Sequence, residues 1–327
     1  MNSISRYQLT AMLLITDVYG IYCLSGSISL LTMYGMLSAI ALQFLISLVF
    51  VLYGGSIARW HQFIYLLYVI FCGGVLLASL WRTSEVISIP YAERNGIYGR
   101  LFMAGLIVIV CLYSSSTGLR AVSRAAVITV AAGLLCIFID FTSAIFTADW
   151  ENTFRPEKQG FFYGLLRGFA VSGSLGGFFV LLEKTRGERS RAAVLYFGAK
   201  AVLTIVIMLK SIAVVGGIVS VTDFPVIMAA QLSQPFDVQR IDSLFIVIFI
   251  SFAVFFLSLQ VMTGAYLLKR IFPRFERWRS CTVTLFILGV AFLISGRELL
   301  LVRSLAAVIV LILSATVKNP LKYSADK

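Results

Sequence analysis

The sequence predicts an all-α, multi-pass membrane protein with ten transmembrane helices, on the basis of its composition, its hydropathy and its apolar segments. Of 327 residues, 60% are apolar and 13% are charged, whereas about a quarter of the residues in a soluble domain are charged. The mean hydropathy is +0.95. Because a spanning helix needs about 20 mostly apolar residues, this apolar content suffices for about ten spans. The composition excludes a soluble enzyme, a disordered chain and a nucleic-acid-binding domain.

Ten apolar segments follow one another along the chain, five on each side of a polar stretch at 147–159. The predicted spans are 9–30, 32–53, 62–81, 100–116, 125–146, 161–182, 192–220, 243–271, 282–295 and 299–317. A repeat of five helices reverses the orientation of its second copy, so this count is compatible with a LeuT-like 5+5 inverted repeat. The chain, 1–327, is then a single transmembrane domain, with repeat one at about 9–146 and repeat two at about 160–317.

The Lys and Arg residues predict the orientation of the chain, because cytoplasmic loops of membrane proteins carry an excess of them. If the N-terminus is cytoplasmic, the inner segments hold 16 of the 27 basic residues and the outer loops hold 7. This split predicts that both termini are cytoplasmic. The net charge of +12 is then a topology signal, and we expect no nucleic-acid partner.

Polar and glycine residues lie near the centre of the first helix of each predicted repeat. Span one contains Asp17-Val-Tyr-Gly20 and the Ser-Gly-Ser at 25–27, and span six contains Ser172-Gly-Ser-Leu-Gly-Gly177. Transporters with inverted repeats bind their ligands where such helices unwind near the bilayer midplane. We therefore predict that helices one and six are interrupted and form a ligand site. Close helix packing through small residues is the alternative.

The candidate ligand-binding residues come from these two segments and from spans three and eight. The candidates are Asp17, Tyr19, Gly20, Cys72, Gly73, Ser172, Gly173, Ser174, Gly176 and Ser258. In span three, packing is the favoured explanation of the Cys72-Gly-Gly74 sequence. In span eight, Ser258, Gln260 and Thr263 are candidates to face a polar cavity, although Ser and Thr also bond to their own helix.

Six charged residues lie inside predicted spans, apart from Arg100, Lys269 and Arg270 at span ends, which are counted with the loops. An ionisable group inside a span is costly and is by default a functional candidate. The predicted coupling or structural charges are Asp17, Asp140, Arg167 and Lys210. Two more basic residues, Lys200 and Arg303, lie near predicted span ends, and we expect their side chains to extend toward the interface. A buried lysine can replace a coupling cation or relay a proton, and an ion pair that only fixes packing is the alternative. The sequence leaves open which charges pair.

The loop between spans seven and eight, at 222–242, contains a short predicted helix. Pro225 suits the first turn of a helix, and Pro235 ends it. The apolar run between them, at 226–230, is too short to cross a membrane. We predict a re-entrant or lid helix at the outer surface, and an ordinary interfacial helix is the alternative.

The sequence offers few residues for metal, cofactor or enzyme chemistry. Its five cysteines form no CxxC pair, its single histidine is His61, and it contains no Walker or dinucleotide-binding glycine motif. The acidic residues are scattered, mostly in predicted outer loops, whereas a membrane hydrolase or transferase needs them clustered. We therefore expect no metal, no cofactor and no enzymatic activity.

Three short strings in the sequence carry a family resemblance. They are the opening Ile4-Ser-Arg-Tyr-Gln8, the string from Tyr113 to Arg124, and Phe224-Pro225 followed by Gln239-Arg-Ile-Asp-Ser-Leu-Phe245. In these strings, and in the layout of the whole chain, the sequence resembles the spore germination permease family. The members of that family are the B subunits of nutrient germinant receptors.

The resemblance implies the fold of the amino acid/polyamine/organocation transporter superfamily, which is similar to the ten-helix inverted repeat predicted above. It implies residence in the inner spore membrane or cell membrane, with both termini on the spore-core side. It also implies assembly with a membrane A subunit and a lipoprotein C subunit, and a ligand pocket in this chain for a small nutrient such as an amino acid. We expect this pocket to lie between spans one, three, six and eight. A proton-coupled amino-acid secondary transporter, with Asp17 or Lys210 as its relay, is the alternative function.

Overall fold

The chain folds as a bundle of α-helices, which we describe from a computed structural model. The structure describes residues 3–23, 26, 28–52, 59–87, 105, 108–114, 116–154, 160–216, 224–232, 242–273, 278–294 and 299–316. The helices are α1 (Arg6–Tyr22), α2 (Leu30–Leu52), α3 (Arg59–Ile87), α4 (Leu119–Thr147), α5 (Phe161–Val171), α6 (Leu175–Leu182), α7 (Arg189–Val215), α8 (Pro225–Leu232), α9 (Asp242–Ile271), α10 (Arg279–Ile294) and α11 (Leu300–Ala315). The other described elements are a helical stretch at 108–114, a 3-10 helix (Trp150–Phe154) and two short strands, β1 (Ile4–Ser5) and β2 (Thr185–Arg186).

Several of these helices have membrane-spanning length. In the described part of the chain, α2, α3, α4, α7 and α9 are each long and apolar enough to cross a bilayer. Together α5 and α6 make a sixth candidate span, which is bent by 47°. The apolar helices α10 and α11 are shorter, at 16 residues each. The architecture is therefore that of a multi-pass all-α membrane protein, while the count of ten spans and the inverted repeat stay predictions.

Predicted spans two, three, five, seven and eight each coincide with one long helix, namely α2, α3, α4, α7 and α9. Span seven ends at Val215 rather than at residue 220, because Gly216 has a φ of 50° and an α-helix cannot continue through that conformation. Span four is described only at 105, 108–114 and 116, where 108–114 is helical. The rest of the predicted span four lies outside the described residues.

The predicted interruption of helix one at residues 17–20 is wrong. Helix α1 is continuous, and its residues 9–22 are all buried. Gly20 serves close packing there, since a Cβ atom on it would lie 2.9 Å from the carbonyl oxygen of Val171 on α5. The second predicted interruption, at 25–27, is described only at Gly26. This residue lies beyond the end of α1 and has a φ of 84°.

The start of the chain is fixed to the segment that follows α6. Strand β1 pairs in parallel with β2, and the backbone N–H of Ile4 donates to the carbonyl oxygen of Lys184 at 3.1 Å. Directly after this strand, Ser5 and Gln8 form a reciprocal capping box that satisfies free N–H groups at the start of α1. The beginning of α1 and the end of α6 are therefore held together at one end of the bundle.

Helices α2 and α5 pack backbone against backbone through glycines. Gly164 and Gly168 are four residues apart on α5, the small-xxx-small spacing that allows membrane helices to approach closely. A Cβ atom on Gly164 would lie 2.1 Å from the carbonyl oxygen of Thr32, and one on Gly168 would lie 2.9 Å from the Cα atom of Met36. In the opposite direction, a Cβ atom on Gly35 would lie 2.2 Å from a carbonyl oxygen of α5. This contact seats the first half of the bent span directly on α2.

The short helix predicted between spans seven and eight is present as α8, and it begins at Pro225 as expected. It ends at Leu232, and the predicted terminator Pro235 lies outside the described residues. Five of its eight residues, from Pro225 to Ala230 apart from Met228, are buried in the bundle, and so is Phe224, which precedes it. Leu232, at its end, is exposed. This burial favours the predicted re-entrant or lid helix over an ordinary interfacial helix.

We predict that Gly164→Ala destabilises the protein, because the added methyl group meets the backbone of α2 rather than a flexible side chain. Overpacking of this kind typically costs about 1–3 kcal/mol. The matched control is Gly198→Ala on α7, where a Cβ atom meets nothing within 4 Å and alanine favours the helix. Thermal unfolding of both purified variants measures the difference, and equal melting temperatures would contradict the proposed contact.

Candidate functional site

The predicted interruption of helix six is confirmed. Helix α5 ends at Val171, α6 begins at Leu175, and the buried residues Ser172, Gly173 and Ser174 connect them. Serine and glycine are poor helix formers, and the Ser172 hydroxyl donates at 2.7 Å to the carbonyl oxygen four residues earlier. The backbone turns tightly after this point, with the Gly173 N–H donating to the Val171 carbonyl oxygen at 2.7 Å.

Side chains from three other helices bind the carbonyl groups at the break. The Tyr68 hydroxyl of α3 donates to the carbonyl oxygen of Ser172 at 2.7 Å. The Gln260 amide of α9 donates to the carbonyl oxygen of Gly173 at 2.9 Å, and the Gln43 amide of α2 donates to that of residue 168 at 3.1 Å. Irregular backbone inside a membrane protein persists only where its polar groups have such partners.

Asp17 of α1 lies against the break and accepts three polar contacts. The Ser174 hydroxyl donates to its Oδ1 at 2.6 Å, and the Tyr196 hydroxyl of α7 donates to its Oδ2 at 2.5 Å. The Lys200 ammonium, also on α7, lies 3.1 Å from the same Oδ2. The side chains of Asp17 and Lys200 are only 1% and 2% exposed, so they form a buried ion pair.

The Lys200 ammonium has partners for all three of its N–H groups. Besides Asp17, it donates to the Ser172 hydroxyl at 2.8 Å and to the Gln43 side-chain oxygen at 3.1 Å. A lysine ammonium has three donors and no acceptor, so this arrangement suits the charged form. The expectation that the Lys200 side chain extends toward the interface is wrong, because α1, α2 and the break supply its partners inside the bundle.

Tyr196 and Lys200 are four residues apart on α7 and therefore project from the same face of the helix. The Tyr196 ring stacks on Phe178 of α6, with ring centroids 5.5 Å apart. The ring thus packs against the second half of the bent span while its hydroxyl reaches Asp17. The four-residue spacing of a tyrosine and a lysine in a largely apolar helix is the sequence signal for this shared face.

The structure brings Asp17, Ser172, Gly173 and Ser174 together, as the sequence analysis expected. Cys72 lies at the edge of this cluster, since a Cβ atom on Gly173 would lie 3.7 Å from its Cβ atom. The predicted site residues do not include Gln43, Tyr68 and Tyr196, which also contact the cluster. Gln260, which was predicted to face a polar cavity, contacts the cluster as well.

The structure places other candidate residues at contacts between helices. Tyr19 donates from its hydroxyl to the carbonyl oxygen of residue 76 at 3.2 Å, on α3. A Cβ atom added to Gly73 would lie 3.0 Å from Ile287, and one added to Gly176 would lie 2.8 Å from Val69. The Ser258 hydroxyl lies 2.6 Å from that of residue 114, in the helical stretch at 108–114.

A second ion pair joins Lys210 of α7 to Asp140 of α4, and both side chains are largely buried. A cavity of about 10 Å³ adjoins it, lined in part by Tyr22 and by Val226 of α8. Since α7 rises about 1.5 Å per residue, Lys210 lies about 15 Å along the helix from Lys200. The structure therefore establishes pairings that the sequence left open, Asp17 with Lys200 and Asp140 with Lys210.

The two remaining charges inside predicted spans have different surroundings. Arg167 of α5 is buried, and its guanidinium carbon lies 4.4 Å from the centre of the Tyr163 ring. Such a contact is a stabilising cation–π interaction. Arg303 of α11 is partly exposed. Among the described residues, no three His, Cys, Asp or Glu side chains converge in a way that could hold a metal ion.

The fold and the polar cluster define a class, a multi-pass α-helical membrane protein whose bent span meets a buried ion pair. Comparison with known proteins goes no further, because no family model and no curated protein matches the chain. The resemblance to the spore germination permeases therefore stays a prediction.

We predict that Lys200→Met destabilises the protein strongly, because it leaves the Asp17 carboxylate buried without its counter-charge. Removal of one member of a buried ion pair typically costs about 3–5 kcal/mol. The double variant Asp17→Asn/Lys200→Met removes both charges and recovers much of this loss. Size-exclusion profiles after a heating series measure the stability of each purified variant.

The matched control is Arg191→Met, which removes an arginine from an exposed ion pair with Glu188. Exposed pairs of this kind contribute at most about 1 kcal/mol, so we expect little change. A double variant no more stable than Lys200→Met alone would contradict the pairing. A well-expressed Asp17→Asn protein with altered ligand specificity would show that Asp17 has more than a structural role.

Proposed function

We propose that the chain is the B subunit of a spore germinant receptor, located in the inner spore membrane or cell membrane. In this proposal it binds a small nutrient germinant, an amino acid, and passes a conformational change to an A subunit and a lipoprotein C subunit. The observation that carries the proposal is the break at Ser172–Ser174, where irregular backbone meets the buried pair of Asp17 and Lys200. The partners, the membrane and the orientation of the termini rest on the family resemblance and on the distribution of basic residues.

The chemistry of the cluster suits a zwitterionic ligand. An amino acid carries an ammonium group that can pair with Asp17 and a carboxylate that can pair with Lys200 and the serine hydroxyls of the break. In the state described, Asp17 and Lys200 are bound to each other at 3.1 Å. A ligand would therefore replace one ion pair by two, which separates the two side chains. Two states that differ in this pairing differ in their affinity for the ligand, and a sensor needs only that difference.

The connections of the break offer a route for the signal. Tyr68, Gln260 and Gln43 attach its carbonyl groups to α3, α9 and α2. A change in the backbone between α5 and α6 must break or move these hydrogen bonds. The three helices would then respond together.

A proton-coupled amino-acid transporter is the second candidate function, and the pair of Asp140 and Lys210 favours it. This pair is separate from the cluster at the break and adjoins the covering helix α8. Buried ionisable pairs in membrane proteins commonly mark proton pathways. In this alternative, Asp17 or Lys210 exchanges the proton that drives uptake.

The proposal is tested by measuring binding of amino acids, sugars and nucleosides to the purified full chain. We expect one or more amino acids to bind, and binding by only sugars or nucleosides would contradict the zwitterion argument. Uptake of labelled amino acids into vesicles that contain this chain alone separates the two functions. Concentrative uptake would exclude a function as a receptor only.

We predict that Gly173→Leu abolishes the ligand response without preventing membrane insertion. A Cβ atom on Gly173 already meets a methyl group of Leu76 at 3.3 Å, so a leucine side chain there must displace its neighbours at the break. The matched control is Gly198→Leu, whose position is exposed and meets nothing within 4 Å. Binding of the responsive amino acid is measured in both variants after their expression levels are matched.

A normal response from Gly173→Leu would refute the assignment of the site to the break. Loss of the response in both variants would show that the effect is not specific to the break.

A further inference from the structure

A cavity of about 340 Å³ lies at one end of the bundle, apart from the broken helix. Its volume falls in the usual range of small-molecule sites, about 300–1,000 Å³. Its walls come from the start of α4, the link between α6 and β2, the end of α9 and the start of α10. These segments belong to the side of the membrane that the basic residues predict to be cytoplasmic.

Three basic side chains line this cavity, namely those of Lys184, Lys269 and Arg279. No acidic residue is among the described residues that line it. Two acidic side chains on the link after α6 and at the start of α7 are engaged by other arginines. Glu183 lies 3.0 Å from Arg270, and Glu188 lies 2.6 Å from residue 191. The described lining therefore carries three basic side chains and no acidic one.

Two helix N-termini also contribute to the walls of the cavity. Gly118 and Leu119 are the N-cap and first residue of α4, and Arg279 and Ser280 are the first two residues of α10. The first N–H groups of a helix lack partners within it and carry partial positive charge. Gly118 has no side chain that could cap α4. Backbone and side chains thus both favour an anion.

The remaining lining gives the cavity an apolar wall and holds one cation in place. The side chains of Leu119 and Met262 are buried there. The Lys184 ammonium lies 5.5 Å from the centre of the Tyr266 ring, and the Arg270 guanidinium carbon lies 5.0 Å from the same ring. A cavity with cations around an apolar wall suits an anion that carries an apolar part.

From these observations we propose that the cavity is a binding site for a phosphate-bearing anion. A cluster of basic residues between helix ends on the cytoplasmic side is typical of sites for anionic lipid headgroups. A soluble phosphate compound has the same anionic chemistry and is the other possible source of the ligand. The general excess of basic residues in inner loops explains why these three residues lie on the predicted cytoplasmic side. It does not explain why all three line one cavity together with two helix N-termini.

The experiment measures binding of three probes to the purified full chain in a neutral detergent. The probes are short-chain phosphatidylglycerol, short-chain phosphatidylcholine and inorganic phosphate. We expect saturable binding of phosphatidylglycerol that weakens as salt is added, and no saturable binding of phosphatidylcholine. If inorganic phosphate binds as tightly as phosphatidylglycerol, the ligand is a soluble anion, and the proposal of an anion site still holds. Absence of binding by either anion would overturn the proposal.

Charge-removing variants locate the binding in the cavity. We expect Lys184→Gln and Arg279→Gln each to weaken phosphatidylglycerol binding about fivefold, the usual effect of one basic residue near an anionic surface. The matched control is Arg191→Gln. Arg191 is close to Lys184 in the sequence but does not line the cavity, so its loss should leave the affinity unchanged. An equal loss of affinity in the control would contradict binding in the cavity and would indicate general attraction to the basic surface. The comparison of lipids in the unmodified chain tests the proposal even where a variant fails to fold.

Discussion

The buried ion pair of Asp17 and Lys200 is the interaction on which the centre of this protein depends. Inside an apolar bundle each of these charges would be very unfavourable without a counter-charge and hydrogen bonds for its remaining polar atoms. The break between α5 and α6 supplies those hydrogen bonds, through one serine on the carboxylate and another on the ammonium. The ion pair in turn occupies the hydroxyl groups of the break. Each feature would be unstable alone, and together they satisfy one another.

The same constraint makes the site inseparable from the fold. A membrane interior has no water for free backbone groups, so an interrupted helix must find its partners among neighbouring side chains. Here the partners come from α2, α3 and α9, and the charges come from α1 and α7. Five helices therefore meet at three residues of irregular backbone. A substitution at the break acts on packing and on binding at once, which is why matched glycine controls elsewhere are needed.

Sequence reasoning succeeded where a local or compositional rule decides the structure. The bilayer sets the length of apolar segments, so most long helices lie where hydropathy predicts them. The Ser-Gly-Ser of span six breaks its helix by local preference. The same rule failed at Gly20, because glycine in a membrane helix also serves close packing, and only the neighbouring helix shows which role applies. The expectation for Lys200 was wrong for a similar reason, because its partners come from distant segments. The four-residue spacing of Tyr196 and Lys200 indicates a shared helix face, but it does not indicate what that face contacts.

Helix α7 connects the two ion pairs and constrains what either of them can do. It is continuous from Arg189 to Val215, with Lys200 bound to α1 and Lys210 bound to α4. A rotation or shift of α7 that releases the first lysine also displaces the second, because both are fixed to one helix about 15 Å apart. A movement of α7 as a rigid helix therefore links the central cluster to the ion pair of Lys210 and Asp140. A receptor could use this coupling to carry a signal away from the centre, and a transporter could use it to coordinate two gates. Both functions can use this coupling, so passage of the ligand across the membrane is the property that separates them.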